Sequence, residues 1–322
     1  MSRPTVISTF AGCGGSSLGY QMAGFEELLA VEWDDHAVQT FRLNFPGVPV
    51  FHGDIAKLSV DKCLDLAGDI KPGELDVLDG SPPCQGFSTA GKRLMVDSRN
   101  QLFREFCRLL QGLQPQAFVM ENVAGMVKGK MRLIFVEILR ELQACGYQVK
   151  ARVLNAMYYG VPQSRQRIIF IGMRKDMSII PTHPTGETRP IGLRQAIGLR
   201  RGWGHRCGGL REGIKNKQFK NQWRSLDLPC VTLEKTRPPI LLENGAEREL
   251  TLDECCKIGT FPEDWKWGAQ AYHQIGNSVP PNFMRAIAEH VKGLLDGDGR
   301  TFAEVKAERL SGEDVPQAQA AG

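Results

Sequence analysis

The stretch from Thr5 to Asp34 constrains the architecture more than any later one. Thr5-Val6-Ile7-Ser8-Thr9-Phe10 is an apolar run of strand length that empties into Ala11-Gly12-Cys13-Gly14-Gly15. A helix is expected over about Ser17 to Ala23, starting on that glycine turn, and Ala30-Val31 forms a second strand ending in Glu32-Trp33-Asp34. Strand, glycine turn, helix, strand and acid make a nucleotide-binding βαβ opening. The glycines let the backbone approach a ligand, and an acid about 20 residues further on can take ribose hydroxyls. The turn alone fits dinucleotides as well as adenosyl ligands; Trp33 sharpens it, because an indole can lie against an adenine face. A third strand, Val48-Pro49-Val50-Phe51, leads to Gly53-Asp54-Ile55. There Asp54 can reach an adenine amino group, or simply cap a turn or helix.

The next feature is Gly80-Ser81-Pro82-Pro83-Cys84-Gln85-Gly86-Phe87-Ser88, after the short apolar run Leu75-Asp76-Val77-Leu78. Two prolines stiffen the backbone and deliver one cysteine to the carboxyl end of a buried strand, the edge where open α/β sheets bind ligands. A lone cysteine is ordinarily a small buried hydrophobe; this one, set behind two prolines, reads as a nucleophile. Thr89 to Asn100 is polar and basic, as a lid would be, and helical spacing resumes from Asn100 to Gln111.

A further buried strand, Ala117-Phe118-Val119-Met120, delivers Glu121-Asn122-Val123. A carboxylate straight after an apolar strand is either satisfied structurally or poised as an acid, with burial favouring the protonated form. The second reading is preferred here, because this strand end should neighbour that of Cys84. Met131 to Ala144 is an amphipathic helix, and Tyr147 to Ala156 and Arg167 to Met173 read as two antiparallel strands. Between them, alternation puts Gln163, Arg165 and Arg167 on one face, and two adjacent guanidiniums suit an anion or a carbonyl-rich ligand. Regular patterns fade from about Lys175 to Asp227. Helical order returns over Arg248 to Lys266, then Gln274-Ile275-Gly276-Asn277-Ser278-Val279-Pro280-Pro281 precedes a last helix from Asn282 to Leu295. The expected organisation is a catalytic and cofactor-binding domain over residues 1–175 and a smaller recognition domain over 176–268, variable at about 176–228. Residues 269–295 return to the first domain, and 296–322 form a peripheral, poorly ordered tail.

Charge separates the classes of partner. The chain has 322 residues and a net charge of +4, yet residues 187–225 hold ten Lys or Arg against two acids, a local +8. The rest carries 30 basic against 34 acidic residues. A concentrated positive region on an otherwise acidic chain is what a polyanion selects, and Trp203, Phe219 and Trp223 interleave it as base-contacting residues would. No apolar run approaches the roughly 20 residues of a membrane span, and no signal peptide is visible. Nine cysteines without CxxC pairs argue for a reducing compartment and against zinc or a disulfide framework; no metal site is expected.

Five blocks together resemble the DNA cytosine-5 methyltransferases of bacteria or phage, in that family's order and over nearly the whole chain. They are Phe10-Ala11-Gly12-Cys13-Gly14-Gly15, Pro82-Pro83-Cys84-Gln85, Glu121-Asn122-Val123, Gln163-x-Arg165-x-Arg167 and Gly276-Asn277-Ser278-Val279-Pro280-Pro281. The resemblance implies an α/β fold: a Rossmann-like, S-adenosylmethionine-dependent methyltransferase sheet with a smaller target-recognition domain. It implies that Phe10, Gly12, Gly14, Glu32, Trp33, Asp54, Ile55, Pro83, Leu102, Asn277 and Val279 line the cofactor site, with S-adenosyl-L-homocysteine as product.

Carbon 5 of cytosine is a poor nucleophile until a thiolate adds at carbon 6. The chemistry therefore asks for a thiol (Cys84), an acid at ring nitrogen 3 (Glu121, positioned by Asn122) and cations near the carbonyl (Arg167, with Arg165 beside it). The base must be flipped out of the duplex, with Gln85 filling the gap and Ser88 touching phosphate. Arg206, Arg211, Lys215, Lys217, Lys220 and Arg224 are the expected DNA contacts. The implied partner is double-stranded DNA, with a companion restriction endonuclease acting separately, in a bacterial cytoplasm or nucleoid, for a monomer with no membrane attachment. Three rivals stand beside this reading. A tRNA cytosine-5 methyltransferase shares the blocks, a catalytically silent nucleic-acid-binding regulator should have lost Cys84, Glu121 or an arginine, and an NAD-dependent dehydrogenase rests on the glycine turn alone.

Overall fold

The computed structural model describes residues 3–83, 98–127, 129, 131–186, 188–200, 202, 204–206, 223–243 and 245–298. Cys84, Gln85, Ser88, Arg211, Lys215, Lys217 and Lys220, the lid over 89–97, and Trp203, Phe219 and the tail beyond 298 lie outside the described residues.

The strands are β1 (Thr5–Thr9), β2 (Glu26–Glu32), β3 (Val50–His52), β4 (Val77–Gly80), β5 (Ala117–Val123), β6 (Tyr147–Asn155), β7 (Gln163–Ser164), β8 (Gln166–Arg174), β9 (Gly204–Arg206), β10 (Cys230–Val231), β11 (Ile240–Glu243) and β12 (Ala246–Glu249). Seven of them form one sheet in the order β3-β2-β1-β4-β5-β8-β6. The first five pair in parallel, and β8 runs antiparallel to both β5 and β6. Strand order reverses between β1 and β4, and the carboxyl edge at such a switch point is where a crevice opens for ligands.

The strands of the centre are apolar on both faces because both faces are covered. Ile7, Leu78, Phe118 and Phe170 enter one core with Phe106 and Leu110 of the helix Ser98–Leu113. Their chain neighbours Val6, Val77, Val119 and Ile171 enter the other, with Tyr20, Phe283 and Ile287, as the alternation of a strand requires. That second core is closed by the helix Pro281–Gly293, which starts with Pro281 and packs on the helix Gly15–Met22. A third cluster joins Phe41, Phe45 and Cys13 to Leu226, Cys230, Leu233, Phe261, Trp265 and Ile275, so packing is continuous from the N-terminal strands into the later residues.

Several expected boundaries move, among them that of the first helix, which spans Gly15–Met22, and that of β2, which begins at Glu26. The helix after the lid begins at Ser98, two residues before Asn100. Arg248 lies in a strand and not at a helix start: β11 and β12 form a hairpin around Gly245, whose φ of +80° suits the turn, and β9 pairs on the far side of β11. Ala246-Glu247-Arg248-Glu249 shows no apolar alternation, so its strand depends on pairing and on ion pairs from Arg248 to Glu243 at 2.8 Å and to Glu254 at 2.7 Å. The helix itself spans Leu252–Gly259, opened by a capping box between Thr251 and Glu254.

Candidate active site and cofactor cleft

The carboxyl ends of β4 and β5 lie side by side, with Gly80 opposite Met120. Past Gly80 the chain enters Ser81-Pro82-Pro83. Pro82 is buried, and its carbonyl accepts a hydrogen bond from Asn122 Nδ2 at 2.9 Å, while Asn122 Oδ1 accepts from the Val123 N–H at 2.8 Å. The amide therefore stitches the Pro-Pro segment that leads to Cys84 onto the end of β5. Asn122, expected to position Glu121, steadies the segment next to the cysteine as well.

Sheet register explains the pair at the centre of the site. Arg167 stands opposite Val123 and Ile169 opposite Glu121, so Glu121 and Arg167 are diagonal neighbours on one face. Their side chains meet with Arg167 Nε 2.6 Å from Glu121 Oε1, both largely buried. Between the two sequence readings of Glu121, this arrangement is the paired one: the carboxylate sits in a charge-assisted contact.

Arg165 behaves differently. Its side chain is fully enclosed, 2% exposed. Nη1 donates to the Leu233 carbonyl at 3.2 Å and Nη2 to the Gly276 carbonyl at 3.1 Å. Desolvation, and then the Arg167 charge, push its guanidinium down to about 9, with Glu121 opposing. Gln163 is also buried, and its Oε1 accepts from the Leu233 N–H at 3.0 Å. The expected common face of Gln163, Arg165 and Arg167 thus divides its work: two side chains grip the backbone after β10, and the third meets Glu121.

The cofactor candidates gather around the ends of β1, β2 and β3. Phe10 and Gly12 both have φ of +57°, which for the non-glycine Phe10 is a strained backbone of the kind found at ligand sites. Glu32 closes the turn: Oε2 accepts from the Gly12 N–H at 2.8 Å, and Oε1 accepts from Trp33 and Asp34 at 2.8 and 2.9 Å. Trp33 is 75% exposed. Asp54 caps the short helix Ile55–Lys57 through Oδ1 and is itself exposed, while Ile55 is buried in the core beneath it. Phe10 and Leu102 pack at the edge of that same core, Val279 is buried, and Asn277 and Pro83 are exposed. This donor set fits an adenosyl group. An exposed indole offers a ring face, and two carboxylates offer acceptors for hydroxyls and an amine. A methyl group built on Gly12 would meet no atom within 4 Å, so the turn faces open space.

Among the residues expected to contact DNA, β9 brings Arg206 and Arg224 together, because His205 and Arg224 exchange backbone hydrogen bonds. Arg206 is buried, its Nη2 2.7 Å from Glu247 Oε2 and its guanidinium 5.4 Å from the Trp223 ring centre. Trp223 is 41% exposed and Arg224 half-buried. Sequence reasoning missed a pair of acids set within the parallel sheet. Asp79 of β4 and Glu27 of β2 share buried space with Tyr20, whose hydroxyl lies 3.4 Å from Asp79 Oδ1. The one signal was an acid inside an otherwise apolar strand.

Strand order, switch point and site together define a Rossmann-like methyltransferase fold. The chain belongs to the C-5 cytosine-specific DNA methylases, whose family model matches residues 4–197 and 210–293. Among its relatives, the Type II methyltransferase M1.HphI of Haemophilus parahaemolyticus is 35% identical over 89% of this chain and 86% of that protein. The Type II methyltransferase M.NgoPII of Neisseria gonorrhoeae is 31% identical over 90% and 96%. A solved structure described as a DNA modification methyltransferase encoded within an Escherichia coli prophage superposes with a TM-score of 0.73 at 26% identity, covering 91% of this chain and 99% of that one. Spodoptera frugiperda DNMT2 shares the fold, with a TM-score of 0.64 at 20% identity over 91% and 99%. The family's reaction is S-adenosylmethionine-dependent methylation of cytosine at carbon 5 in DNA. No helix among the described residues is long and apolar enough to cross a membrane.

Proposed function

We propose that this chain methylates cytosine within a specific short sequence of duplex DNA, using Cys84 as the nucleophile on a flipped base. The observation that carries the residue-level reading is the Glu121–Arg167 pair beside Pro82, one residue short of Pro83-Cys84 and pinned there by Asn122. In this reading the Cys84 thiolate adds to carbon 6, forming a C–S bond as the ring's electron pair shifts to carbon 5. In this step Glu121 carries a proton and donates it toward ring nitrogen 3 while Arg167 donates to the ring carbonyl, so that charge displaced into the ring meets a donor at each end. S-adenosylmethionine, held by Glu32, Trp33, Asp54 and the turn Phe10 to Gly14, supplies an electrophilic methyl group. Loss of the carbon 5 proton to ordered water then lets the cysteine leave and restores the ring.

The remaining roles rest on charge and position. The basic segment, with Arg211, Lys215, Lys217, Lys220 and Arg224, binds phosphates and base edges within a recognition unit over 176–268, with Arg206, buried on Glu247 and Trp223, supporting that surface from within, while Gln85 and Ser88 act from the loop after the cysteine. The relatives' description as Type II methyltransferases supports a companion restriction endonuclease acting separately, for a monomer in a bacterial cytoplasm.

Bisulfite sequencing of DNA from cells expressing the chain tests the whole reading. One cytosine context should resist conversion with wild-type protein and become convertible with Cys84→Ala, and Glu121→Gln should lower methylation by about 100-fold or more. With S-adenosylmethionine present, duplex DNA carrying 5-fluorocytosine should trap a denaturant-resistant adduct with wild-type protein and not with Cys84→Ala. Protected cytosines in tRNA and none in DNA would overturn the proposal.

A further inference from the structure

Arg165 stands in the signature block beside Arg167, yet both of its terminal nitrogens are engaged on backbone carbonyls from segments 43 residues apart, at Leu233 and Gly276. The Leu233 segment is held twice more, by the Gln163 side chain and by the Thr232 hydroxyl, which donates to the Ser164 carbonyl at 2.7 Å. Gly276, in the last turn of the helix Ala271–Asn277, presses directly on the same segment: a methyl group built on it would lie 2.6 Å from the Lys235 nitrogen and 2.7 Å from the Glu234 carbonyl carbon. One of these segments follows the basic region closely. The other leads directly into Asn277 and Val279 at the cofactor cleft. A guanidinium is a rigid planar fork, so two carbonyls bound to its two tips are fixed relative to each other as well as to the strand that carries it.

We propose that Arg165 is a positioning residue and not a contact to the base: its buried fork locks the Thr232–Leu233 segment and the Gly276 turn onto the catalytic strand, holding the recognition side and the cofactor cleft in register. The proposal deepens the functional reading above and rests on its assignment of the two ligand sites. It separates the two arginines of the block, since Arg167 acts at the base and Arg165 acts through the backbone of others.

The distinguishing measurement is S-adenosylhomocysteine affinity with no DNA present, by calorimetry at a temperature where each variant is folded. A contact to the base would leave that affinity unchanged when removed. Loss of a clamp would not, because two buried carbonyls lose a charged donor and the turn before Asn277 loosens. Arg165→Met should weaken S-adenosylhomocysteine about 10-fold and also weaken binding to long unmethylated duplex DNA, with Arg165→Lys recovering part of both. Arg167→Lys should keep DNA-free affinity for S-adenosylhomocysteine within about twofold of wild type while methylation falls. If Arg165→Met does not fold, Arg165→Lys and Thr232→Val carry the test, and Thr232→Val should raise KM for DNA severalfold. Folded Arg165 variants that bind both ligands like wild type, with methylation alone reduced, would overturn the proposal, as would full affinity in both Arg165→Lys and Thr232→Val. A wild-type protein that binds both ligands and methylates nothing would instead defeat the functional reading and leave this one standing.

Discussion

Glu27 of β2 is partly buried, and both of its carboxyl oxygens are enclosed without a hydrogen-bond partner among the described residues. Burial pushes its carboxyl from 4.5 up to about 7, tempered by the hydroxyls of Ser8 and Ser17 that face it. Asp79 is driven well above the usual carboxylate range, first by burial and then by Glu27 itself, with Tyr20 opposing and Glu121 adding to it. A carboxyl raised in the folded state favours folding below its unfolded value, and that advantage disappears as pH rises through the folded one. For Glu27 the window runs from about 4.5 to 7, and the shift corresponds to about 3 kcal/mol. Glu27→Gln should therefore match wild type near pH 4.5 and exceed it by about 3 kcal/mol at pH 8 in urea unfolding. Parallel stability curves across that range would mean the carboxyl is solvated.

At the scale of elements, the helices Gly15–Met22 and Pro281–Gly293, the first and last α-helices among the described residues, pack directly on each other. Gly19 makes this packing possible: a methyl group there would lie 2.6 Å from Met284 Cβ and 2.8 Å from both the Arg285 nitrogen and the Pro281 carbonyl oxygen. Backbone on both sides cannot yield as a flexible side chain would, so the helices must part. Gly19→Ala should cost about 1–3 kcal/mol despite alanine's better helix propensity, seen as a lower urea midpoint at unchanged slope. Elements with a period of their own were readable from the chain. Met131–Ala144 matches the expected helix end to end, and Ala117–Val123 and the antiparallel β6–β8 pair lie where alternation and apolar runs put them. Elements that exist through partners were not. Cys230–Val231 is a strand because Gln163–Ser164 lies beside it, and polar β12 depends on β11. The same division holds within the site: Glu121 and Arg167 were legible as motif residues, whereas Arg165's carbonyl partners, Leu233 and Gly276, are backbone atoms that carry no residue-type signal.

For the whole molecule, the proposed reading gives two ligands with different physics. If the segment 187–225, with its net +8, is the DNA-binding region proposed above, binding releases counterions and affinity for duplex DNA should fall steeply with salt. A log–log slope steeper than about −3 is expected between 50 and 200 mM salt, in binding titrations, with each phosphate contact worth about 0.9. Replacing Arg211, Lys215, Lys217 and Lys220 by alanine should flatten that slope and leave S-adenosylhomocysteine affinity unchanged. An unchanged slope would assign the phosphates to other residues. The closing role of the helix Pro281–Gly293 also has a consequence for biogenesis. Its Phe283, Met284, Ile287 and Val291 share one core with Val6, Val77 and Val119 of β1, β4 and β5, strands that precede it in the chain. At about 5–20 residues per second, roughly 15–60 s separate translation of Val6 from that of Gly293. Until that helix is made, the apolar side chains of these strands lack its cover, and anything bound to them in the meantime must leave before the helix can dock.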